Sequence, residues 1–153
     1  MTRIVVERIG DLRERAGEEL FVSEWHEISQ ARIDKFAEAT GDTQWIHVDT
    51  ERARMESPYG TTIAHGYLTL SLIAGFFQDT LSVKNRRRGL NYGLNRVRFL
   101  SPVPAGSRVR GRHRLLKYED VEGGAQLTWQ VTVELEGSEK PACAIEAINR
   151  MYE

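Results

Sequence analysis

The chain has 153 residues and a formal net charge of −1, with 41% hydrophobic and 28% charged residues. That length suits one domain able to bury a core of its own, and the balanced charge gives no electrostatic case for nucleic acid as the main partner. One cysteine, Cys143, excludes an intramolecular disulfide and a thiolate-cluster metal site.

The first residues, Met1-Thr2-Arg3-Ile4-Val5-Val6-Glu7-Arg8, lack the long apolar run of a signal peptide. No apolar stretch reaches the roughly 18 residues of a membrane span, so a cytoplasmic location is the expectation. Residues 6–16 suit a short helix with Val6, Ile9 and Leu12 on one side and Gly17 ending it. Residues 21–28 read as a first strand. Ile33, Phe36, Ala37 and Thr40 then fall on one stripe of an amphipathic helix. Ser29 is placed to cap its start, and Gly41 fits the left-handed position past its end. After an irregular stretch over 42–47, Asp49 or Thr50 caps a short helix through residues 51–54. Asp49 lies close enough to His47 to suggest a metal pair, but no third ligand has a recognisable spacing, and capping is the better reading.

Ser57-Pro58-Tyr59-Gly60 is a turn. Residues 66–81 form a helix that is apolar nearly all round, which is the pattern of a buried helix wrapped by the rest of the chain. Lys84-Asn85-Arg86-Arg87-Arg88 is a basic loop, either solvated or a phosphate contact. From Leu90 onward the chain reads as strands. Over 107–118, Arg108, Arg110, Arg112 and Arg114 share one face, while Val109, Gly111, His113 and Leu115 share the other; the arginines mark a solvated sheet face. Gly123-Gly124 makes a hairpin connection, and 125–135 alternates with a strict period of two. Residues 136–138 turn the chain into a last strand over 142–152, where Cys143 is a small apolar strand residue. One buried helix against antiparallel strands is an α+β pattern, and periodicity leads no further.

The chemistry-bearing stretch is Gly41-Asp42-Thr43-Gln44-Trp45-Ile46-His47. A carboxylate and an imidazole brought together can hold a water, one taking its proton while the other supplies one. Spacing alone fits a turn aspartate and a buried structural histidine better, since Gly-Asp after a helix is common turn chemistry. A second stretch, Thr61-Thr62-Ile63-Ala64-His65-Gly66-Tyr67-Leu68, opens the apolar helix.

Together these stretches resemble the MaoC-like, (R)-specific enoyl-CoA hydratase family, whose signature is Gly-Asp-x-Asn-Pro-aliphatic-His followed by an aliphatic-His-Gly segment. The run Asn91-Tyr92-Gly93-Leu94-Asn95-Arg96-Val97-Arg98-Phe99 and then Pro102-Val103-Pro104-Ala105-Gly106 is similar to the same family. The resemblance covers residues from about Phe21 to the C-terminus. Two departures stand out: Gln44-Trp45 replaces the usual Asn-Pro, and Ala74 falls where some members place a serine, which Thr69 or Ser71 is positioned to replace.

The resemblance implies a hotdog fold, an antiparallel sheet wrapped around the central helix, and an edge-paired homodimer. It also implies reversible hydration of trans-2-enoyl thioesters to (R)-3-hydroxyacyl thioesters. Asp42 and His47 are then the catalytic pair, the Gly66 amide receives the thioester carbonyl, and His65, Gln44 and Trp45 border the substrate. The substrate carries its own CoA or acyl-carrier-protein arm; no metal or redox cofactor is expected. Two other hotdog functions remain: an acyl-CoA thioesterase, which places a carboxylate on or near the helix, and a non-catalytic subunit that completes a partner's acyl tunnel.

Overall fold

The computed structural model describes residues 3–153, so Met1 and Thr2 of the N-terminal stretch lie outside it. Strand β1 (Ile4–Val6) leads into a 3-10 turn over Ile9–Arg15, which buries Ile9 and Leu12. The predicted short helix is therefore a tighter turn, and Val6 belongs to the strand before it. Strands β2 (Glu19–Val22) and β3 (His26–Glu27) follow where one strand over 21–28 was expected. Ser23 causes the break. Its hydroxyl accepts the Gly111 N–H at 2.9 Å while its own N–H donates to the Gly111 carbonyl at 2.9 Å. The chain then leaves the ladder, and Trp25 lies under the Arg110 guanidinium, 4.4 Å from the ring centre.

Helix α1 (Gln30–Thr40) has the expected ends: Ser29 Oγ accepts the Arg32 N–H, and Gly41 sits at φ +79°. Such a cap contributes about 1 kcal/mol. Ile33 and Ala37 are buried, Phe36 is half-buried, and Thr40 is exposed with its hydroxyl donated to the Phe36 carbonyl. Two short helices, α2 (Trp45–Val48) and α3 (Thr50–Glu56), share Asp49 as hinge and cap; its carboxylate accepts the Arg52 N–H. His47 thus stands on a helical turn rather than in an irregular segment.

Helix α4 (Gly66–Thr80) is followed by strands β4 (Leu81–Val83), β5 (Arg88–Phe99), β6 (Arg108–Val121), β7 (Gly124–Leu135) and β8 (Cys143–Tyr152). β1 and β4 pair in parallel, and the main sheet has the order β2-β6-β7-β8-β5, with β3 also paired to β6. The pairings within that sheet are antiparallel. Its inner face buries Val109, Leu115, Leu127, Trp129, Val131 and Val133 against Leu68, Phe76 and Phe77 of α4. This is the α+β hotdog architecture.

The sheet covers one side of α4 only. Tyr67 is 70% exposed, and Leu70, Leu72 and Ile73 are half-buried. A helix apolar all round is therefore not buried all round within one chain. Edge strand β5 is exposed along nearly its whole length, including Leu90, Tyr92 and Leu94.

The arginine face of β6 is solvated and paired. Arg108 meets Glu136, Arg110 meets Glu134, and Arg112 meets Glu19 and Glu134. The hydrogen bond from Arg108 holds the Glu136 carboxyl below the ordinary carboxylate range. In the basic loop, Lys84 pairs with Glu7, and Arg88 stacks over Tyr152. Cys143 is fully buried, and burial pushes its thiol up to about 11; it is a packed strand residue and not a thiolate nucleophile.

Candidate active site

The Asp42 loop leaves α1 through the left-handed Gly41, and two further contacts fold it back. The Asp42 carboxylate accepts the Gln44 N–H at 3.4 Å, and the Gln44 carbonyl accepts the His47 N–H at 3.0 Å. This local turn brings the imidazole round toward the carboxylate. The segment carrying the second motif is pinned from both sides. Ile63 N–H donates to the Ile46 carbonyl at 3.0 Å, Ala64 N–H to Val103 at 2.8 Å, and Ala105 N–H to Thr62 at 2.9 Å.

Side chains complete the join. Gln30 on α1 donates to the His47 carbonyl at 2.8 Å and accepts from the Thr62 hydroxyl at 2.5 Å. One amide therefore ties α1, α2 and the strand-like entry to α4. Sequence reasoning missed Gln30: the two partners that join these elements are 17 and 32 residues away, and its one local contact, to the Asp34 carboxylate, marks only an exposed helix pair.

His47 is 6% exposed and its Nδ1 lies 2.7 Å from the Ile63 carbonyl oxygen. A carbonyl can only accept, so Nδ1 carries the proton and Nε2 is left for chemistry. His65 is 2% exposed, with Nε2 2.9 Å from the Asp42 main-chain carbonyl. By the same logic Nε2 is the donor there, and the buried Nδ1 has no hydrogen-bond partner among the described residues. The two imidazoles stack face to face, with centroids 3.8 Å apart and 24° between planes.

One side-chain oxygen of Asp42 and one ring nitrogen each of His47 and His65 all lie within 4.8 Å of one another. A water makes hydrogen bonds of about 2.8 Å, so two groups up to about 5.5 Å apart can share one. The same donors have the chemistry of a borderline divalent-metal set; the fold supplies in His65 the third donor that sequence spacing did not. Each histidine commits one nitrogen to a carbonyl and keeps the other free among the described residues, an arrangement that suits a water site and a metal-ligating imidazole alike.

A cleft of about 290 Å³ opens beside this cluster, bordered by His47, Tyr59, Gly66, Thr69, Phe99 and Pro102. Gly66 is the first residue of α4, whose leading N–H groups lack partners within the helix and point into the positive end of its dipole. A Cβ on Gly66 would stand 3.1 Å from the Phe99 ring, tighter than ordinary contact. Thr69 reaches this cleft, whereas Ser71 and Ala74 border a different cavity against β5, and the Ser71 hydroxyl is spent on the Leu68 carbonyl. Of the other expected substrate neighbours, Gln44 is exposed at the head of α2. Trp45 is half-buried beneath the Arg52 guanidinium at 4.2 Å.

Comparison with known proteins gives a consistent result. The chain is 50% identical over 145 residues to 3-hydroxyacyl-thioester dehydratase Z of Mycobacterium tuberculosis, spanning 94% of this chain and 95% of the relative. It is also 50% identical over 137 residues to nodulation protein N of Rhizobium leguminosarum bv. viciae, spanning 88% of this chain and 84% of that one. The fold is similar to that of the solved R-hydratase PhaJ1 from Pseudomonas aeruginosa. The TM-score there is 0.74 at 20% identity, over 90% of this chain and 82% of that one. The family described as MaoC like domain matches residues 11–137. With the acid and the imidazole juxtaposed beside the N-terminus of the central helix, and with these matches spanning most of its length, the chain belongs to the MaoC-like domain family.

Proposed function

We propose that this protein is a hydro-lyase acting on acyl thioesters, an (R)-specific enoyl-CoA hydratase working reversibly between trans-2-enoyl and (R)-3-hydroxyacyl thioesters. The observation that carries the reading is the approach of the Asp42 carboxylate to the His47 ring, within one water's reach, beside a cleft opening on Gly66. The relative named 3-hydroxyacyl-thioester dehydratase supports the substrate class.

In this mechanism Asp42 and His47 hold the water and carry one proton between them. Asp42 takes a proton from the water as its oxygen bonds to C3. That same proton is returned to C2 on the same face through the pair, from Asp42 or by way of His47 Nε2, which carries no proton of its own in the resting Nδ1–H tautomer. As the thioester carbonyl becomes an enolate, the Gly66 N–H meets the developing charge without reorienting. CoA or acyl-carrier protein enters only as part of the substrate.

The thioesterase alternative places its carboxylate on or near α4 without a Gly-Asp…His loop, whereas here the carboxylate near the start of α4, Asp42, belongs to that loop. The first carboxylate within the helix is Asp79, in its last turn, 3.8 Å from His26 Nε2. It stands roughly 20 Å from Gly66 at 1.5 Å per residue. A purely structural subunit would be free to lose either catalytic group, and both are here. Enoyl absorbance, which falls on hydration, and thiol release, which reports hydrolysis, separate the three readings in one assay.

Gly66→Ala is expected to change Tm little, because the Phe99 ring it presses on is 47% exposed and can swing outward. Hydration should fall about 10-fold or more, mostly in kcat, since the amide's contribution grows only as charge forms. A much lower Tm with normal turnover per folded molecule would show that the glycine serves packing alone.

We also propose a homodimer. β5 offers a free edge, which folded proteins ordinarily cover. The cavity of about 280 Å³ between β5 and α4, bordered by Leu70, Ile73, Ala74, Tyr92 and Leu94, is an apolar face open to solvent in the single chain. Sedimentation should give twice the 17.5 kDa chain mass; a fully active monomer at all concentrations would contradict it.

A further inference from the structure

The hydratase reading uses Asp42, His47 and Gly66 and gives no task to His65, which is buried, stacked on His47, and linked to the loop that carries Asp42. We propose that His65 is a positioning residue. Its Nε2–H anchors the Asp42 main chain and its ring face backs the His47 imidazole, so that one side chain sets the separation of the catalytic pair. The proposal rests on the hydratase reading and deepens it.

Asp42 is exposed and has no regular secondary structure around it. Its own loop restrains it weakly: the contacts from its carboxylate to the Gln44 N–H and from its N–H to the Thr40 hydroxyl are both 3.4 Å, at the long end of hydrogen bonding. The 2.9 Å bond from His65 is the short one, and it comes from 23 residues away in sequence. His65 is itself held as the residue before α4, by the pinned segment leading into it and by Phe36, whose ring centre lies 4.9 Å away. The anchor therefore belongs to the same rigid element that presents the Gly66 amide. Water-holding pair and carbonyl donor are referred to one frame, as a reaction with strict geometric demands requires. The absence of a partner for Nδ1 among the described residues agrees with this role: the ring is fixed by one bond and by stacking, and its remaining nitrogen faces no proton acceptor that would favour the other tautomer.

Two substitutions divide the functions of the ring. His65→Phe keeps a flat ring to stack on His47 and removes the donor. His65→Gln removes the ring and keeps an N–H near the Nε2 position. Hydration of crotonyl-CoA is measured for both together with Tm, and activity is expressed per folded molecule. The expected result is a loss in kcat of roughly 10- to 100-fold for Phe, the scale of a misplaced catalytic group, with KM within about 3-fold of the parent. Gln should recover most of the loss whichever variant melts lower. Equal activity of Phe and parent, equal loss in Phe and Gln, or a loss confined to KM would overturn the proposal.

Histidine 1H–15N NMR of the unaltered protein at neutral pH supplies an arm independent of variant folding and of catalysis. His65 should be the Nε2–H tautomer and His47 the Nδ1–H tautomer, and a proton on His65 Nδ1 alone would overturn the anchor. If the unaltered protein hydrates no enoyl thioester, the functional reading fails on that result, and the NMR arm still decides whether His65 holds Asp42.

Discussion

Asp42→Asn and His47→Ala are each expected to lower kcat for hydration by at least about 10², the lower end of what a general acid or base contributes. Asparagine keeps the size and shape of the Asp42 side chain and its acceptor for the Gln44 N–H, so the turn has no reason to open. It removes the charge and the basicity, which are the properties the mechanism uses. Alanine at position 47 costs more structurally, because it deletes the 2.7 Å bond to the Ile63 carbonyl and one side of the imidazole stack. Circular dichroism and Tm must therefore accompany the His47 measurement, and Asp42→Asn is the cleaner of the two. Near-parental turnover by a folded Asp42→Asn protein would remove the carboxylate from the mechanism.

The second large effect concerns stability in acid, and it lies away from the cleft. His113 on β6 is fully buried, stacked on Phe21 at 4.3 Å and edge-on to Phe77 at 4.6 Å. Neither ring nitrogen has a hydrogen-bond partner among the described residues. Burial pushes its pKa from 6.5 down to about 3. Above the unfolded value the imidazole is neutral in both states and the group contributes no pH dependence. As pH falls from about 6.5 toward 3 the unfolded chain binds a proton that the folded chain refuses, so stability drops by about 1.4 kcal/mol per pH unit. Below the folded value the loss stops growing. The full loss is on the order of 5 kcal/mol, a large share of the 5–15 kcal/mol typical of a domain. Urea denaturation between pH 6 and pH 4 should therefore show a slope that His113→Leu, close in size and without a titrating group, reduces by about one proton. Equal slopes in the two proteins would show that His113 is charged or hydrated in the folded state.

Elements whose signals are local were legible in the sequence. Helix α1 announces itself through Ser29, its stripe and Gly41, and β7 through a period of two with no exception from Ala125 to Val133. The split between β2 and β3 was not legible, because its cause is a pair of hydrogen bonds between Ser23 and Gly111, distant in sequence. The apolar surplus of α4 read as burial on all sides; burial depends on what else covers the helix, and one sheet covers only one side. At the site, the motif singled out Asp42, His47 and Gly66 as candidates, and the placement of their neighbours had to await the tertiary structure. Gln30 is an ordinary polar residue in the first turn of a helix until the fold brings His47 and Thr62 to it. His65 sits beside Gly66 in sequence and so resembles a substrate neighbour, but its ring turns inward to the Asp42 carbonyl. Ala74 matched a serine position by counting along the helix, yet helical rotation carries it to the cavity against β5, and of Thr69 and Ser71 it is Thr69 that borders the cleft.

The most direct test follows purified protein with crotonyl-CoA, recording enoyl absorbance and free thiol in the same sample and resolving the configuration of any product. The expected result is a fall in enoyl absorbance with no thiol released and (R)-3-hydroxybutyryl-CoA as the product. Release of thiol without hydration, or an (S) product, would contradict the assignment of this cleft to (R)-specific hydration.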